Sequence, residues 1–555
     1  MRRSHACVAI LAGAFLAGCN DSTGPGGASL DCSDANIHAL AVGQHQIIDP
    51  SQAGACVRLP AAGAGGAEHL YVPVSAAGQE TPNGTSSPYV VMGGSTAIAS
   101  PPALPSPALS AFRPPLAPEQ FHSMLREKEK ALTAQPSRAL FSQSRQPGAL
   151  RVPPVLNEQR TFNICGSDKC DSFVQTTATA QSIGNRVAIF VDDSAPPGGY
   201  TPTDLDQVKT LFDQYLYRID TTAFGRESDI DSNGVVIVLL TPKVNVLSPG
   251  CNSTGRIILG YFFGGDLLPR STSNPGSNEA EIFYGLVPDP NNSDCTIDKA
   301  EANSRLPATF IHEFQHMISF NQHVLIRNGT SEDTWLNEGL SHFAEELGGR
   351  LVPDQECPVT GSCAQEFLGG GDIVNAFEYL ASPEDFFLIE PGNSTGKLEE
   401  RGANWLFVRW LADNFAADTI LGTQLTHALV ATNQVGSTNV AARTGVDFGT
   451  LVGEWQLTNY LDDLPGFSAP AERLRYKSWN FREVADSNGQ PYPLQPDSTD
   501  GTSYEHTGTL RAGSGHHILV VQPPNAGPVD LRLTNGTGMA LPATVQPRIA
   551  LVRIR

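Results

Sequence analysis

The middle of the chain alternates short apolar runs with amphipathic stretches. Residues 187–191 and 235–240 are dense in β-branched side chains, which predicts buried strands. Between them, the apolar positions of residues 203–219 recur at helical spacing and share one face, which predicts a surface helix. Further strands are predicted at 256–263 and 281–287. This order of strands and helices predicts a mixed α+β unit.

Downstream of residue 300 the pattern becomes mostly helical. One helix is predicted at 304–325 and a second at 335–347, which ends at a Gly-Gly pair suited to a helix C-terminus. Residues 404–415 are apolar on most faces, so that helix should be buried. Two more helices are predicted at 421–432 and 448–462.

The two ends of the chain have a different pattern. Residues 28–99 and 487–555 contain short alternating runs broken by Gly, Pro and Asn, which predicts two small β-rich domains. Residues 100–158 are Pro-rich and predict a linker that contains one polar helix, at about 118–132. Residues 159–486 are then expected to form the main domain, between the linker and the C-terminal β-rich end.

Composition narrows the class of protein. A chain of 555 residues is too long for one ordinary core, and two to four domains are expected. The formal net charge of -21 argues against nucleic acid or anionic lipid as the main partner, because both would be repelled. The charge is typical of an exported protein, and it carries no information about a substrate.

The N-terminus has the pattern of a targeting signal. Residues 1–18 combine two arginines with a short apolar stretch, and Leu-Ala-Gly-Cys at 16–19 resembles a bacterial lipobox. Cys19 would then carry lipid, with residues 19–27 as a flexible tether and a location in the bacterial cell envelope. The alternative is an ordinary signal peptide followed by an incidental cysteine.

Eight cysteines remain after Cys7 and Cys19 are set aside, and an even number in an exported chain predicts disulfides. Pairing in chain order would keep every bridge within one predicted domain. The connectivity stays open at this point; chain-order pairing would give Cys32–Cys56, Cys165–Cys170, Cys251–Cys295 and Cys357–Cys363.

The predicted helix at 304–325 carries His312-Glu-Phe-Gln-His316, an HExxH motif. Histidines four residues apart project from one helix face, so both imidazoles can reach one metal ion. Glu313 would lie beside a metal-bound water and act as its general base.

A third metal ligand is predicted 22 residues after His316, in Trp335-Leu-Asn-Glu-Gly339. Zinc hydrolases of this type need three protein ligands and one open position, and Glu338 would complete the set with the two histidines. Glu345 lies seven residues later on the same helix face, where it could hold a ligand histidine through its second ring nitrogen. A solvent-facing carboxylate is the alternative for Glu345.

These motifs resemble the gluzincin zinc metallopeptidases, and most closely the hyicolysin-like bacterial peptidases. The resemblance rests on the HExxH motif, on the segment at 336–347, and on looser matches at 224–234, 281–284 and 405–413. It covers roughly residues 161–482. It implies a zincin-like α+β catalytic domain with a mixed sheet, an HExxH helix and a mostly helical C-terminal half, flanked here by small all-β domains.

By this resemblance the chain is a zinc-dependent endopeptidase with one Zn²⁺ per chain, which acts on protein or peptide substrates. Relatives usually add a downstream Tyr or His that stabilises the oxyanion, and a tyrosine is expected where this chain has Arg401. Arg401 or Tyr379 could take that role. Two other functions stay open: a catalytically silent surface lipoprotein, and an aminopeptidase, although the Gly-x-Met-Glu-Asn element of aminopeptidases is absent from the sequence.

Residues 229–234 have the alternating oxygen side chains of a calcium loop, through Asp229, Asp231 and Asn233. Leu240 occupies the position where such a loop has a bidentate glutamate. A turn stabilised by its own Asp and Asn side chains is therefore favoured over a Ca²⁺ site.

Overall fold

The computed structural model describes residues 37–53, 55–94, 117–134, 152–255, 257–357, 359–394, 396–419, 421–468 and 473–555. The signal peptide, Cys19, the tether, Cys32 and most of the Pro-rich linker lie outside these ranges. The described part is a mixed α+β structure, as the sequence predicts. No helix in it is both long enough and apolar enough to cross a membrane.

The two β-rich ends do not form separate domains, because strands from one end pair with strands from the other in two shared sheets. The strands are β1 (His45–Ile48), β2 (Cys56–Leu59), β3 (Ala67–Ser75), β4 (Ser86–Gly93), β11 (Asp497–Thr499), β12 (Tyr504–Arg511), β13 (Ile518–Gln522), β14 (Val529–Thr534) and β15 (Pro547–Arg553). One sheet has the order β1-β15-β3-β13-β11 and the other β12-β4-β14-β2. The alternating pattern of residues 28–99 and 487–555 predicts strands correctly, but a period of two holds no information about the partner strand.

A six-stranded mixed sheet lies in the region between the two β-rich ends of the chain. Its strands are β5 (Gln159–Cys165), β6 (Phe173–Ile183), β7 (Val187–Asp192), β8 (Val236–Leu240), β9 (Gly260–Phe262) and β10 (Ile282–Gly285). They lie in the order β5-β6-β7-β8-β10-β9. β7, β8 and β10 run parallel, whereas β9 lies antiparallel to β10 at one edge. β8 has the sequence Val-Ile-Val-Leu-Leu and every residue is buried, because helices or loops cover both faces.

Fourteen α-helices are found in the described residues. They are α1 (Pro50–Ala53), α2 (Ala117–Ala134), α3 (Pro202–Leu211), α4 (Tyr217–Ala223), α5 (Pro242–Asn245), α6 (Cys251–Thr254), α7 (Lys299–Phe320), α8 (Thr334–Leu351), α9 (Asp372–Ala381), α10 (Leu398–Phe415), α11 (Thr423–Val430), α12 (Gly436–Thr444), α13 (Phe448–Leu461) and α14 (Phe481–Ser487). Short π-helical turns continue α3 at Phe212–Leu216 and α7 at Asn321–Ile326.

The helix α7 carries the HExxH motif. Its N-terminus is capped by the Asp298 side chain, which accepts a hydrogen bond from the Glu301 N–H at 2.7 Å. From Phe310 to Phe320 every residue is buried, because the helix lies between the sheet and α8. The motif is therefore held on a helix whose position the core fixes.

Helix α8 approaches α10 closely, and a glycine allows it. A Cβ on Gly339 would lie 2.8 Å from the Asn404 carbonyl oxygen of α10. Further along, the buried Glu346 carboxylate accepts hydrogen bonds from Trp405 Nε1 at 3.0 Å and from Arg409 Nη1 at 3.1 Å. These contacts fix α8, and with it Glu338, against the buried helix α10.

Three of the expected disulfides are confirmed: Cys165–Cys170, Cys251–Cys295 and Cys357–Cys363. Cys56 is also disulfide-bonded. Pairing in chain order therefore holds for every bridge whose two cysteines are described.

Candidate metal centre and active site

The two histidines of the HExxH motif lie side by side on α7. Their ring centroids are 4.9 Å apart, and both residues are buried. The Ser341 Oγ of α8 contacts His316 Nδ1 at 3.1 Å and donates a hydrogen bond to Gln315 at 2.6 Å. The His316 ring is thus oriented from the neighbouring helix.

Glu338 lies opposite both histidines on α8. Its Oε2 is 3.5 Å from His312 Nε2, and its Oε1 is 3.7 Å from His316 Nε2. Ligand atoms bound tetrahedrally to zinc at about 2.0–2.1 Å would be about 3.4 Å apart. Glu338 Oε2 is also buried without a hydrogen-bond partner among the described residues, which is costly unless something positive fills the space. The three side chains therefore fit a zinc ion.

The charges around Glu338 favour its ionised form. Burial opposes ionisation, but the positive charge of Arg401, with Nη1 3.9 Å from Glu338 Oε2, and the nearby histidines hold the pKa of this carboxyl well below its usual range. Burial would likewise lower the pKa of His312, yet the carboxylates of Glu338 and Glu345 raise it to about 10. The pocket stabilises a cation at this point.

A chain of polar side chains continues behind His312. Glu345 Oε1 lies 2.7 Å from His312 Nδ1 and 2.9 Å from His342 Nδ1, and Asp372 Oδ1 of α9 lies 2.7 Å from the same His342 nitrogen. Glu345 is thus turned inward to His312 and not to solvent. The sequence offered no sign of Asp372, because α9 is far from the motif along the chain.

Glu313 points toward the sheet edge beside the histidines. Its Oε2 accepts a hydrogen bond from the backbone N–H of Phe262 in β9 at 2.8 Å. Burial raises the pKa of the Glu313 carboxyl to about 7, although His312 and Arg126 act in the opposite direction. A carboxyl that titrates near neutral pH can both take and return a proton.

The outer edge of β9 is covered by α2, a contact that the sequence did not predict. Arg126 Nη2 donates a hydrogen bond to the Phe262 carbonyl oxygen at 2.8 Å, and Glu129 Oε1 accepts one from the Gly264 N–H at 2.6 Å. The two side chains also form an ion pair at 3.0 Å and are almost fully buried. The backbone groups at the free edge of the sheet, next to Glu313, are thus occupied.

The two candidates for oxyanion stabilisation lie in different environments. Arg401 is next to Glu338, as described above. Tyr379 is fully buried on α9, where its ring stacks on Trp455 and its hydroxyl accepts a hydrogen bond from Gln456 Nε2 at 3.0 Å. Because the Tyr379 hydroxyl is enclosed in the core, this geometry favours Arg401 over Tyr379 for the role.

The loop at Asp229, Asp231 and Asn233 forms a turn. The side-chain oxygens of these residues accept hydrogen bonds from the backbone N–H groups of Gly234, Asn233 and Val235, respectively. These bonds use oxygens that a calcium loop would offer to its ion. The geometry favours the turn over a Ca²⁺ site.

The chain is similar to known proteins over part of its length. No protein-family model matches the chain. A curated relative, the neutral metalloprotease ShpI of Staphylococcus hyicus, is 26% identical over 198 residues, which is 35% of this chain. The chain spans 40% of the length of that relative.

Among solved structures, an M1 zinc metallopeptidase of Deinococcus radiodurans, in a mutant form bound to a Tyr-Ser-Ala substrate, matches 54% of this chain and 51% of its own. The identity is 15% and the TM-score is 0.28, too low to support an argument about this fold. The similarity to the neutral metalloprotease supports the resemblance of this chain to zinc metallopeptidases.

Proposed function

We propose that the protein is an exported zinc-dependent endopeptidase that hydrolyses peptide bonds with Glu313 as general base. One observation carries the proposal: His312, His316 and Glu338 converge at zinc-ligand spacing, and Glu313 lies on the same helix next to them. The similarity to a metalloprotease supports the same class of activity. One Zn²⁺ is proposed for this site.

A zinc ion in this site would supply a Lewis acid that polarises a peptide carbonyl and lowers the pKa of a bound water. Glu313 then takes the proton of the attacking water and returns it to the leaving amine. The Phe262 N–H holds one oxygen of Glu313 in place during this transfer. Arg401 supplies the positive charge that is proposed to stabilise the oxyanion.

Endopeptidase activity is preferred to aminopeptidase activity. An aminopeptidase needs carboxylates that grip the free amine of its substrate, and the sequence has no Gly-x-Met-Glu-Asn element. Glu313→Gln should keep the fold and the zinc but lose most hydrolysis of an unstructured protein. A variant as active as the parent would remove Glu313 from the mechanism.

The second candidate function is a silent surface lipoprotein that retains the fold. Zinc content distinguishes a metal-free scaffold from the proposed enzyme. Cleavage of a substrate distinguishes a protein that binds zinc but is inactive from the proposed enzyme. His316→Ala and Glu338→Ala should each lower the zinc content by about one ion per chain, as a three-ligand site requires. Unchanged zinc content in Glu338→Ala would assign the third ligand to another residue.

The proposed location is the bacterial cell envelope, with lipid on Cys19 as the attachment to the membrane. Support comes from the lipobox-like quartet at residues 16–19. Cys19→Ala should convert a membrane-associated protein into one recovered in the soluble exported fraction. Retention of that variant on membranes after a high-salt wash would contradict the assignment.

A further inference from the structure

A second group of metal-ligating side chains lies away from the active site. Glu384 belongs to the 3₁₀ turn at Pro383–Asp385, whereas His506 lies on β12 and His516 comes just before β13. The Glu384 Oε2 atom is 3.1 Å from His506 Nε2 and 3.1 Å from His516 Nδ1. The group thus joins the helical part of the chain to the strands of its C-terminal part.

A second carboxylate faces the opposite edge of the two imidazoles. Asp497 Oδ2, on β11, lies 3.1 Å from His516 Nε2 and 3.7 Å from His506 Nδ1. The Tyr504 hydroxyl donates a hydrogen bond to the same Asp497 oxygen at 3.1 Å. The two rings are stacked, with centroids 3.6 Å apart and planes inclined by 8°.

This arrangement is unbalanced when only protons are counted. A neutral imidazole has one N–H and one lone pair, so two neutral rings direct two lone pairs at carboxylate oxygens. Protonation of both rings would supply four N–H donors, but it would stack two cations face to face. A divalent cation at the Glu384 edge would use both lone pairs of two neutral rings, because each ring then binds it with one nitrogen and turns its other N–H toward Asp497, which lies 3.1 Å from His516 Nε2 and 3.7 Å from His506 Nδ1.

We infer that Glu384, His506 and His516 form a second binding site for a divalent transition metal of the zinc type, with Asp497 as the carboxylate that orients both histidines. Two imidazoles and one carboxylate are ligands that suit zinc, and the side chains are 15–21% exposed, so an ion could enter from solvent. The site would fasten the turn at Pro383–Asp385 to β12 and β13.

Contacts with β12 fix the position of Glu384. Its Oε1 accepts a hydrogen bond from the Thr509 N–H at 3.1 Å, and Arg511 Nη1 donates to its carbonyl oxygen at 2.7 Å. A Cβ at Gly508 would lie 1.5 Å from Glu384 Oε1. Gly508→Ala should therefore displace the carboxylate without changing any ligand.

The test counts zinc in the full chain by mass spectrometry after equilibration with zinc and removal of the excess. The parent should hold about one zinc more than His506→Gln/His516→Gln, and Gly508→Ala should resemble the double variant. Asp497→Asn should retain the site with about 10–100-fold weaker affinity. His427→Gln, an exposed histidine on α11, is the matched control and should bind as the parent does.

Equal zinc content in the parent and the double variant would overturn the inference. If the double variant does not fold, zinc-soaked crystals of the parent decide, because anomalous density must lie between Glu384 and the two histidines. The zinc content of His316→Ala tests the proposed active site separately, because the two groups of ligands share no residue.

An independent observation concerns α2, and its interpretation rests on the proposed function. The geometry points to α2 as an internal blocker of the active site. An extended peptide that adds to the free edge of β9 needs the Phe262 carbonyl and, just after the strand, the N–H of Gly264 at the start of the 3₁₀ turn Gly264–Leu267. Arg126 and Glu129 occupy these two groups, beside Glu313.

Further contacts hold α2 in this place. Phe121 and Leu125 are fully buried, and the Phe121 ring packs edge-on against Tyr261 of β9, with centroids 4.9 Å apart. Ser123 Oγ donates a hydrogen bond to the Asn393 carbonyl at 2.5 Å. A substrate strand would have to displace this helix.

The test uses Arg126→Ala/Glu129→Ala, with Glu127→Ala, an exposed position on the same helix, as the control. The double variant should bind a peptide hydroxamate at least about tenfold more tightly than the parent, and its Gly264 amide should exchange hydrogen faster. It should also cleave an unstructured protein faster. Equal hydroxamate affinity would overturn the blocker; tighter binding without cleavage by any variant would instead contradict the proposed peptidase activity.

Discussion

Replacement of Glu345 by glutamine tests how the proposed zinc ligand His312 is held. In the parent, the Glu345 carboxylate lies 2.7 Å from His312 Nδ1 and presents a full negative charge to it. The charge fixes the ring so that Nε2 faces Glu338, and it makes that nitrogen a stronger donor to a metal. Glutamine keeps the size and one acceptor oxygen, but it removes the charge.

Loss of such a partner carboxylate typically lowers metal affinity about 10–100-fold, or about 1.4–2.7 kcal/mol. Glu345 also serves His342 at 2.9 Å, so the amide of glutamine cannot satisfy both histidines equally well. We therefore expect an effect within this range for Glu345→Gln, and a larger one for Glu345→Ala, which leaves a buried gap beside both rings.

Competition with a fluorescent zinc chelator measures this affinity directly. Glu301→Gln is a suitable control, because Glu301 lies on the same helix as His312, is half-exposed, and forms an ion pair with Arg305 at the surface. Zinc affinity of Glu345→Gln equal to that of the parent, with the fold intact by circular dichroism, would refute the role of Glu345 in holding the histidine.

Three further predictions concern stability. Removal of the Cys251–Cys295 bridge by a double Cys→Ser change should lower the free energy of unfolding by about 4 kcal/mol, against about 2 kcal/mol for Cys165–Cys170 or Cys357–Cys363. The reason is that a bridge with a sequence separation of 44 restricts the unfolded chain more than one across a short loop. Unfolding in denaturant measures each of these free energies. Burial raises the pKa of Glu332 to about 8, so the folded state holds this proton more tightly than the unfolded state does. The stability gained from that proton is complete below about pH 4.5 and is lost as pH rises through about 8. The Tm of the parent should therefore fall relative to that of Glu332→Gln across this pH window, and parallel curves of Tm against pH would contradict the reasoning. Gly402→Ala should destabilise the protein by about 1–3 kcal/mol, since a Cβ there would lie 2.3 Å from the Asn375 backbone, and an unchanged Tm would show that α9 and α10 can separate freely.

The local chemistry of the site could be predicted from the sequence, because it depends on spacing along helices. His312 and His316 are one turn apart on α7, and Glu338 and Glu345 are two turns apart on α8. Helical periodicity alone decides which faces these residues share. The mixed sheet and the buried character of α10 followed from the apolar pattern in the same way.

The contacts between distant segments could not be predicted. Nothing in the pattern of residues 118–132 indicates that Arg126 and Glu129 meet the edge of β9, and a polar surface helix has the same composition. Likewise, Glu384 and His506 are far apart in sequence, and only the pairing of β12 with β4 and its approach to the turn at Pro383–Asp385 brings them together. Such contacts depend on tertiary packing, for which a single sequence carries no periodic signal.

The sharing of sheets between the two ends of the chain has a consequence for biosynthesis. β4 ends at Gly93 and pairs with β12 and β14, which begin at Tyr504 and Val529. During synthesis, β3 and β4 therefore stay unpaired on both hydrogen-bonding edges until residues 94–503 have been translated. Open edges of apolar strands invite pairing with other chains, and closure of so long a loop is slow. A chain that stops before β12 would keep the proposed zinc ligands yet leave the edges of these strands permanently exposed, so aggregation is the expected fate of C-terminal truncations.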